Sequence, residues 1–343
     1  MSPPRLLAAA LATLAALFLA SPAPGRAAEQ VLHLYSARHY PSDEALFARF
    51  TALTGIRVSR IEGKEDELLE RIKSEGARGP ADVFLTVDAA RLGQAEALGL
   101  FAPLRSRLLE ERIPAHLRQP TWAAFSTRAR VIVLRKGLDP ALARDYEDLA
   151  RPALKGKVCV RSGSHPYNLS LGSALIAHLG EARTEEWARG LVANLARAPK
   201  GGDTDQIRAV AAGECQVALA NSYYVARLMR SDKAEDREVM ARVTVVWPNQ
   251  GNRGVHLNVS GGGILRSAPH PEAALRFLEF LASDEAQAHF ADGNNEWPVV
   301  RTAVTHNPAL EALGPFRADG LDVAALSRNT AQAQKLYDRA GWR

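Results

Sequence analysis

From residue 31 onward the chain alternates short β-prone runs with amphipathic helical stretches, an order that few folds accept. VLHLYS (31–36) reads as a strand. SDEALFARFTALTG (42–55) follows as a helix, with Ser42 a candidate N-cap, Gly55 a stop, and Leu46, Phe47, Phe50 and Leu53 at helical spacing. IRVSRIE (56–62) and ADVFLTV (81–87) read as strands, KEDELLERIKSEG (64–76) and DAARLGQAEALG (88–99) as helices. The second half repeats the pattern: strands at 128–136, 157–162, 215–221, 243–249 and 254–265, helices at 168–180, 184–196, 204–214, 271–283 and 284–293, and a helix opening YYVARLMRSD. Such alternation implies parallel sheets covered by helices on both faces, and the length suits two α/β domains. The extended regions 126–135 and 250–262 are the expected crossings between them, which leaves a cleft.

The N-terminus is set apart from this pattern. Arg5, the apolar run LLAAALATLAALFLA (6–20) and the small-residue stretch SPAPGRAAEQ form an export signal, with cleavage expected after Ala27. The run is shorter than the roughly 20 residues that cross a bilayer, and no cysteine follows it to carry a lipid. The mature chain is expected to be exported and soluble. The formal charge is +5, of which Arg5 and Arg26 belong to the leader. No basic block with interleaved aromatics is present, so nucleic acid is not an expected partner. The two cysteines, Cys159 and Cys215, invite a disulfide in an oxidising compartment, with two buried free thiols as the alternative. Without a CxxC pattern they make a poor zinc site.

Ligands of open α/β sheets bind beyond the carboxyl ends of the strands. Ala37, Arg38, His39 and Tyr40 follow the first strand; Gly163 to Tyr167 follow 157–162; Ser222, Tyr223 and Tyr224 follow 215–221. Four of the seven tyrosines therefore fall just past strand ends. Tyr35 lies within a strand, and Tyr146 and Tyr337 read as helix-surface or packing residues. A phenol ligates poorly until it loses a proton of pKa near 10, and a highly charged cation drives that loss. Several phenols around one ion suit Fe(III), whereas calcium or magnesium asks for carboxylates and carbonyls. The residues alone also allow a plain packing pair at Tyr223–Tyr224, or a stacking wall for a sugar or amine. Adjacent side chains diverge by about 100° on a helix, so both reach one ion only if the backbone bends. Hydrolysis by Ser164 or Ser222 is not expected, because neither lies in a G-x-S-x-G elbow.

YSARHYPSD (35–43), TGIRV (54–58), PADVFLTVD (80–88), FSTRARVIV (125–133), VCVRSGSHPYNLSL (158–171), GECQVALANSYY (213–224) and GNNEWPV (293–299), in that order, resemble the periplasmic ferric-iron-binding proteins of bacterial ABC importers. The resemblance implies a two-lobed type II periplasmic-binding-protein fold with a hinge and an interdomain cleft. It divides the chain into lobe 1 (28–127 plus about 256–310), lobe 2 (128–255) and a C-terminal helical segment (311–343) on the lobes. In the tyrosine-rich branch the donors are one histidine and four tyrosines, which match His39, Tyr40, Tyr167, Tyr223 and Tyr224. Arg128 matches the arginine that faces an anion or balances phenolate charge. Arg161 is the second choice, with Ser162 and Ser164 as further candidates around an anion and His165 as a loop residue. A second branch has a glutamate just after the ADVF strand and a bound phosphate. Val87 stands there in this chain and Asp88 is left to cap the next helix, so an obligatory phosphate is not expected, and a synergistic anion is left as an option without a dedicated ligand.

The implied function is capture of Fe(III) in the periplasm and delivery to an inner-membrane ABC permease, by a non-enzymatic, monomeric protein. The alternative is a binding protein of the same fold for a small anion or organic ligand.

Overall fold

The computed structural model describes residues 30–343; the expected export segment, 1–27, lies outside them. Its strands are β1 (Val31–Ser36), β2 (Arg57–Glu62), β3 (Val83–Thr86), β4 (Ala123–Arg135), β5 (Val158–Cys159), β6 (Val217–Asn221), β7 (Val243–Val246), β8 (Leu257–Ile264) and β9 (Trp297–Pro298). They join in the order β2-β1-β3-β8-β4-β6-β5, with β7 and β9 also paired to β4. The sheet is mixed, which corrects the all-parallel expectation. β1 pairs in parallel with β2 and β3, and β5 with β6, because each of those pairs is linked by a helical crossover. β8 runs antiparallel to both β3 and β4. It is reached from β7 with no helix between, so no right-handed helical crossover dictates its direction.

β4 carries the architecture. Its first part, from Ala123 to Ala129, pairs with β8, and Arg130 to Leu134 pair with β6. In that second stretch successive side chains point to opposite faces. Ile132 and Leu134 enter a core with Tyr146, Leu171, Trp187 and Leu219. Val131 and Val133 enter another with Ile207, Val210, Ala218 and Ala220. Both faces are thus covered by helices, as the continuous apolar run requires. The first part belongs to a separate core around Leu34, Phe50, Phe84, Phe125 and Phe277. Gly261, Gly262 and Gly263 let β8 lie close between its neighbours. A Cβ on Gly261 would come 2.5 Å from the Ala123 carbonyl oxygen, and one on Gly262 2.3 Å from Leu85.

The C-terminal helix Val323–Ala340 packs against the helices Pro166–Leu179 and Ala89–Ala97. It sends Val323 and Leu326 into the first core, and Tyr337 and Ala340 into the second. Pro308–Ala312 lies against Ser222–Met229 through Ala309, Leu310 and Ala226. Tyr146 and Tyr337 are core residues, not helix-surface ones. Tyr146 donates to the Arg130 carbonyl at 2.5 Å and Tyr337 to the Asn168 carbonyl at 3.0 Å. Among the described residues no helix is long and apolar enough to cross a membrane.

Cys159 and Cys215 are disulfide-bonded, with a Cα–Cα distance of 5.9 Å. The bridge closes a loop of sequence separation 56. Chain entropy alone makes such a link worth about 4 kcal/mol. A Cys159→Ala/Cys215→Ala protein is expected to lose about 2–4 kcal/mol, read as a lowered urea midpoint; an unchanged midpoint contradicts this.

Candidate metal centre

Tyr40 sits in the turn that leaves β1. Arg38 organises that turn, donating from Nε to Asp43 at 2.8 Å and from Nη1 to Glu296 at 3.0 Å. Its guanidinium carbon lies 4.8 Å from the Tyr40 ring centroid. The Tyr40 hydroxyl donates to Glu296 Oε1 at 2.9 Å. Tyr167 lies in the first turn of Pro166–Leu179. His165 is the N-cap of that helix and its Nδ1 accepts from the Tyr167 N–H at 3.3 Å. Burial and the nearby Arg161 push the His165 pKa down to about 3, so it acts there as a neutral acceptor. Tyr223 and Tyr224 open Ser222–Met229, directly after β6. Their rings lie 4.1 Å apart, tilted by 32°. Arg227 covers both, 5.6 Å from one centroid and 5.4 Å from the other.

These turns come from distant parts of the chain and meet. The Tyr167 and Tyr223 hydroxyls are 2.9 Å apart. Burial first, and then the charge of neighbouring groups, holds all three of Tyr40, Tyr167 and Tyr223 above the ordinary phenol range. For Tyr40 the next contribution is Glu296; for Tyr167 it is Tyr224; for Tyr223 it is Tyr167 and then Tyr40. Arg128 opposes this on all three, joined by Arg38 at Tyr40 and by the Tyr223 hydrogen bond at Tyr167. It projects from β4, is 2% exposed, and donates through Nη2 to the Val87 carbonyl and to Ser260 at 3.1 Å. Its Nε has no hydrogen-bond partner and lies 3.8 Å from Glu296 Oε1. Burial opposes its charge, but Glu296 and the phenols of Tyr40, Tyr167 and Tyr223 keep it protonated. Arg128 is therefore a buried cation within electrostatic reach of three of these phenols.

Other expected residues stand further out. His39 is more than half exposed, and its Nδ1 meets Glu62 Oε1 at 2.7 Å. That contact orients the ring and leaves Nε2 as its free donor atom. Arg161 pairs with Asp203 at 3.1 Å and lies 5.2 Å from the Tyr167 ring centroid. Ser162 and Ser164 pair their hydroxyls with each other at 2.8 Å. Asp88 caps Ala89–Ala97, as expected. Behind Val87, the carboxylate of Glu65 accepts from the Val87 N–H at 3.0 Å and from the Thr86 hydroxyl. Among the described residues no group of three or more His, Cys, Asp or Glu is placed to hold a metal. The oxygen-rich convergence here is phenolic.

Glu296 is the residue that sequence reasoning missed. It is fully buried, and Oε2 also accepts from Ser126 at 2.6 Å. Asn295, in the left-handed region at φ 59°, ends the helix Asp284–Asn294 and turns the chain so that Glu296 faces inward. The motif GNNEWPV contained it without assigning it a role, and 256 residues separate it from Tyr40. Removing one partner of a buried ion pair leaves the other charge uncompensated. Glu296→Ala, which leaves Arg128 without its carboxylate and Arg38 with Asp43 alone, is expected to cost about 3–5 kcal/mol in urea denaturation; a loss under about 1 kcal/mol, the scale of an exposed pair, contradicts the buried-network account.

The sequence signature of the family described as bacterial extracellular solute-binding protein matches residues 32–293. The Iron uptake protein A1 of Synechocystis is 48% identical over 318 residues, covering 92% of this chain and 88% of that protein. The Trichodesmium protein IdiA, or FutA, in complex with iron and citrate ligands, superposes with a TM-score of 0.88 at 49% identity, over 91% of this chain and 100% of that one. The ferric binding protein of Campylobacter jejuni does so with a TM-score of 0.85 at 40% identity, over 91% and 100% of the two chains.

Proposed function

This chain belongs to the bacterial extracellular solute-binding proteins, and we propose that it captures Fe(III) in the periplasm through Tyr40, Tyr167, Tyr223, Tyr224 and His39 and delivers it to an inner-membrane ABC permease. The observation that carries this reading is the convergence of partly or fully buried phenols from the β1, β5 and β6 ends on the buried guanidinium of Arg128. Four phenolates and Fe(III) with a neutral histidine carry one net negative charge, and Arg128 offsets it. The donor set needs no obligatory anion. The names and ligands of the relatives support the same cargo.

The division of labour follows from the fold. Tyr40 and His39 belong to the lobe we assign to 28–127 and about 256–310; the other three belong to 128–255. Neither lobe saturates the ion alone, so iron favours the state in which the two are closed. His39, now turned to Glu62, would supply its Nε2 to the ion. A closed pair of lobes is the state for a permease to recognise, and the 311–343 segment rides on both. We assign an exported monomer with no catalytic step.

The colour of a ferric–tyrosinate charge-transfer band tests this reading. Protein mixed with ferric citrate should turn coloured, and Tyr→Phe changes at 40, 167, 223 or 224 should each weaken or shift the band. A colourless natural protein favours the rival in which the tyrosines form stacking walls for an organic ligand.

Acid should compete with iron. The buried phenols hold their protons more tightly than free tyrosine, and the ion must displace each one. Added protons therefore weaken binding, and affinity should fall steadily from about pH 8 to about pH 5 in competition titrations. A flat profile contradicts phenolate ligation.

A further inference from the structure

We propose that Asp203, which lies outside the donor set, fixes the three tyrosines on the β6 side of the site, so that this half of the cage is assembled before the metal arrives. The inference rests on reading Tyr167, Tyr223 and Tyr224 as donors.

Asp203 is fully buried at the start of the helix Asp203–Ala212. Oδ2 accepts from the Asn221 backbone N–H at 2.7 Å and from Arg130 Nη1 at 2.5 Å. Oδ1 accepts from Arg161 Nη1 at 3.1 Å. Each contact reaches a turn that carries a phenol. Asn221 ends β6 two residues before Tyr223, so the bond to its N–H sets where the Tyr223–Tyr224 turn begins. Arg130 also donates to the Asn221 side chain at 3.1 Å and, through Nη2, to Asn168 at 2.8 Å, beside Tyr167. Arg161 reaches from the carboxylate to the Tyr167 ring.

The two turns are far apart in sequence, and only a group that grips both fixes their spacing. An isolated buried carboxylate is costly, and ion pairs in cores are poor stabilisers compared with packed apolar groups. A buried carboxylate with two arginines, placed behind both phenol-bearing turns, is better explained by geometry than by stability. Groups that orient metal ligands in this way change affinity by about 10–100-fold when replaced.

Asp203→Asn keeps the shape and an acceptor for the Asn221 N–H but removes the charge that holds both arginines. In competition with citrate, the variant is expected to bind Fe(III) about 10–100-fold more weakly than the natural protein, with the tyrosinate charge-transfer band moved and the far-UV circular dichroism unchanged. A folded Asp203→Asn protein with natural affinity and an unmoved band overturns the proposal. Should that variant not fold, Arg161→Met at the edge of the network carries the test. Lowered affinity with a moved band supports the proposal, and natural behaviour in both overturns it. A natural protein that shows no tyrosinate band with ferric citrate is a different failure: it removes the donor reading and this proposal with it.

Discussion

Phenols drawn partly out of water beside one another resist ionisation, and the buried guanidinium of Arg128 counters that resistance at three of them. Arg128 is within electrostatic reach of Tyr40, Tyr167 and Tyr223 and of the carboxylate of Glu296. It stands on β4, the strand that pairs with β8 at one end and with β6 at the other. The charge is thus anchored to the one element common to both halves of the sheet. Turns from either half bring their phenols to it, and the rest of the fold positions those turns.

Each side is held by its own buried carboxylate. Glu296 gathers Arg38, Ser126 and the Tyr40 hydroxyl. Asp203 gathers Arg130, Arg161 and the backbone before Tyr223. Neither arrangement is the cheapest way to fill a core, since buried paired charges stabilise no more, and often less, than packed apolar groups of the same volume. Both fix direction, which an apolar contact cannot do. The exposed His39 on its Glu62 contact is the least constrained of the five proposed donors.

Much of this was legible in the sequence, because periodicity and strand-end position are local. The strands at 31–36 and 215–221 and the helices that follow them lie where their apolar spacing puts them. The tyrosines beyond those strands could be counted, and the resemblance singled out four of them as candidate donors. What stayed hidden depends on distance along the chain. The antiparallel place of β8 is set by pairing with β3 and β4, both more than 120 residues earlier, not by any local pattern. Glu296 sits in a polar stretch that reads as a loop, and its meaning comes from Arg38 and Tyr40, more than 250 residues away. Tyr146 and Tyr337 could be read as helix-surface or packing residues, and packing is what they do; the carbonyl each hydroxyl meets was not legible. Ser162 and Ser164, expected around an anion, pair their hydroxyls with each other here, a contact that no local pattern announces.

An anomalous-difference map, recorded at the iron edge from crystals of the natural protein loaded with ferric citrate, is the decisive observation. One peak is predicted in the gap between the two halves, bonded to phenol oxygens of Tyr40 from one side and of Tyr167, Tyr223 and Tyr224 from the other. A peak bound elsewhere, or one touching phenols from a single half only, contradicts the account.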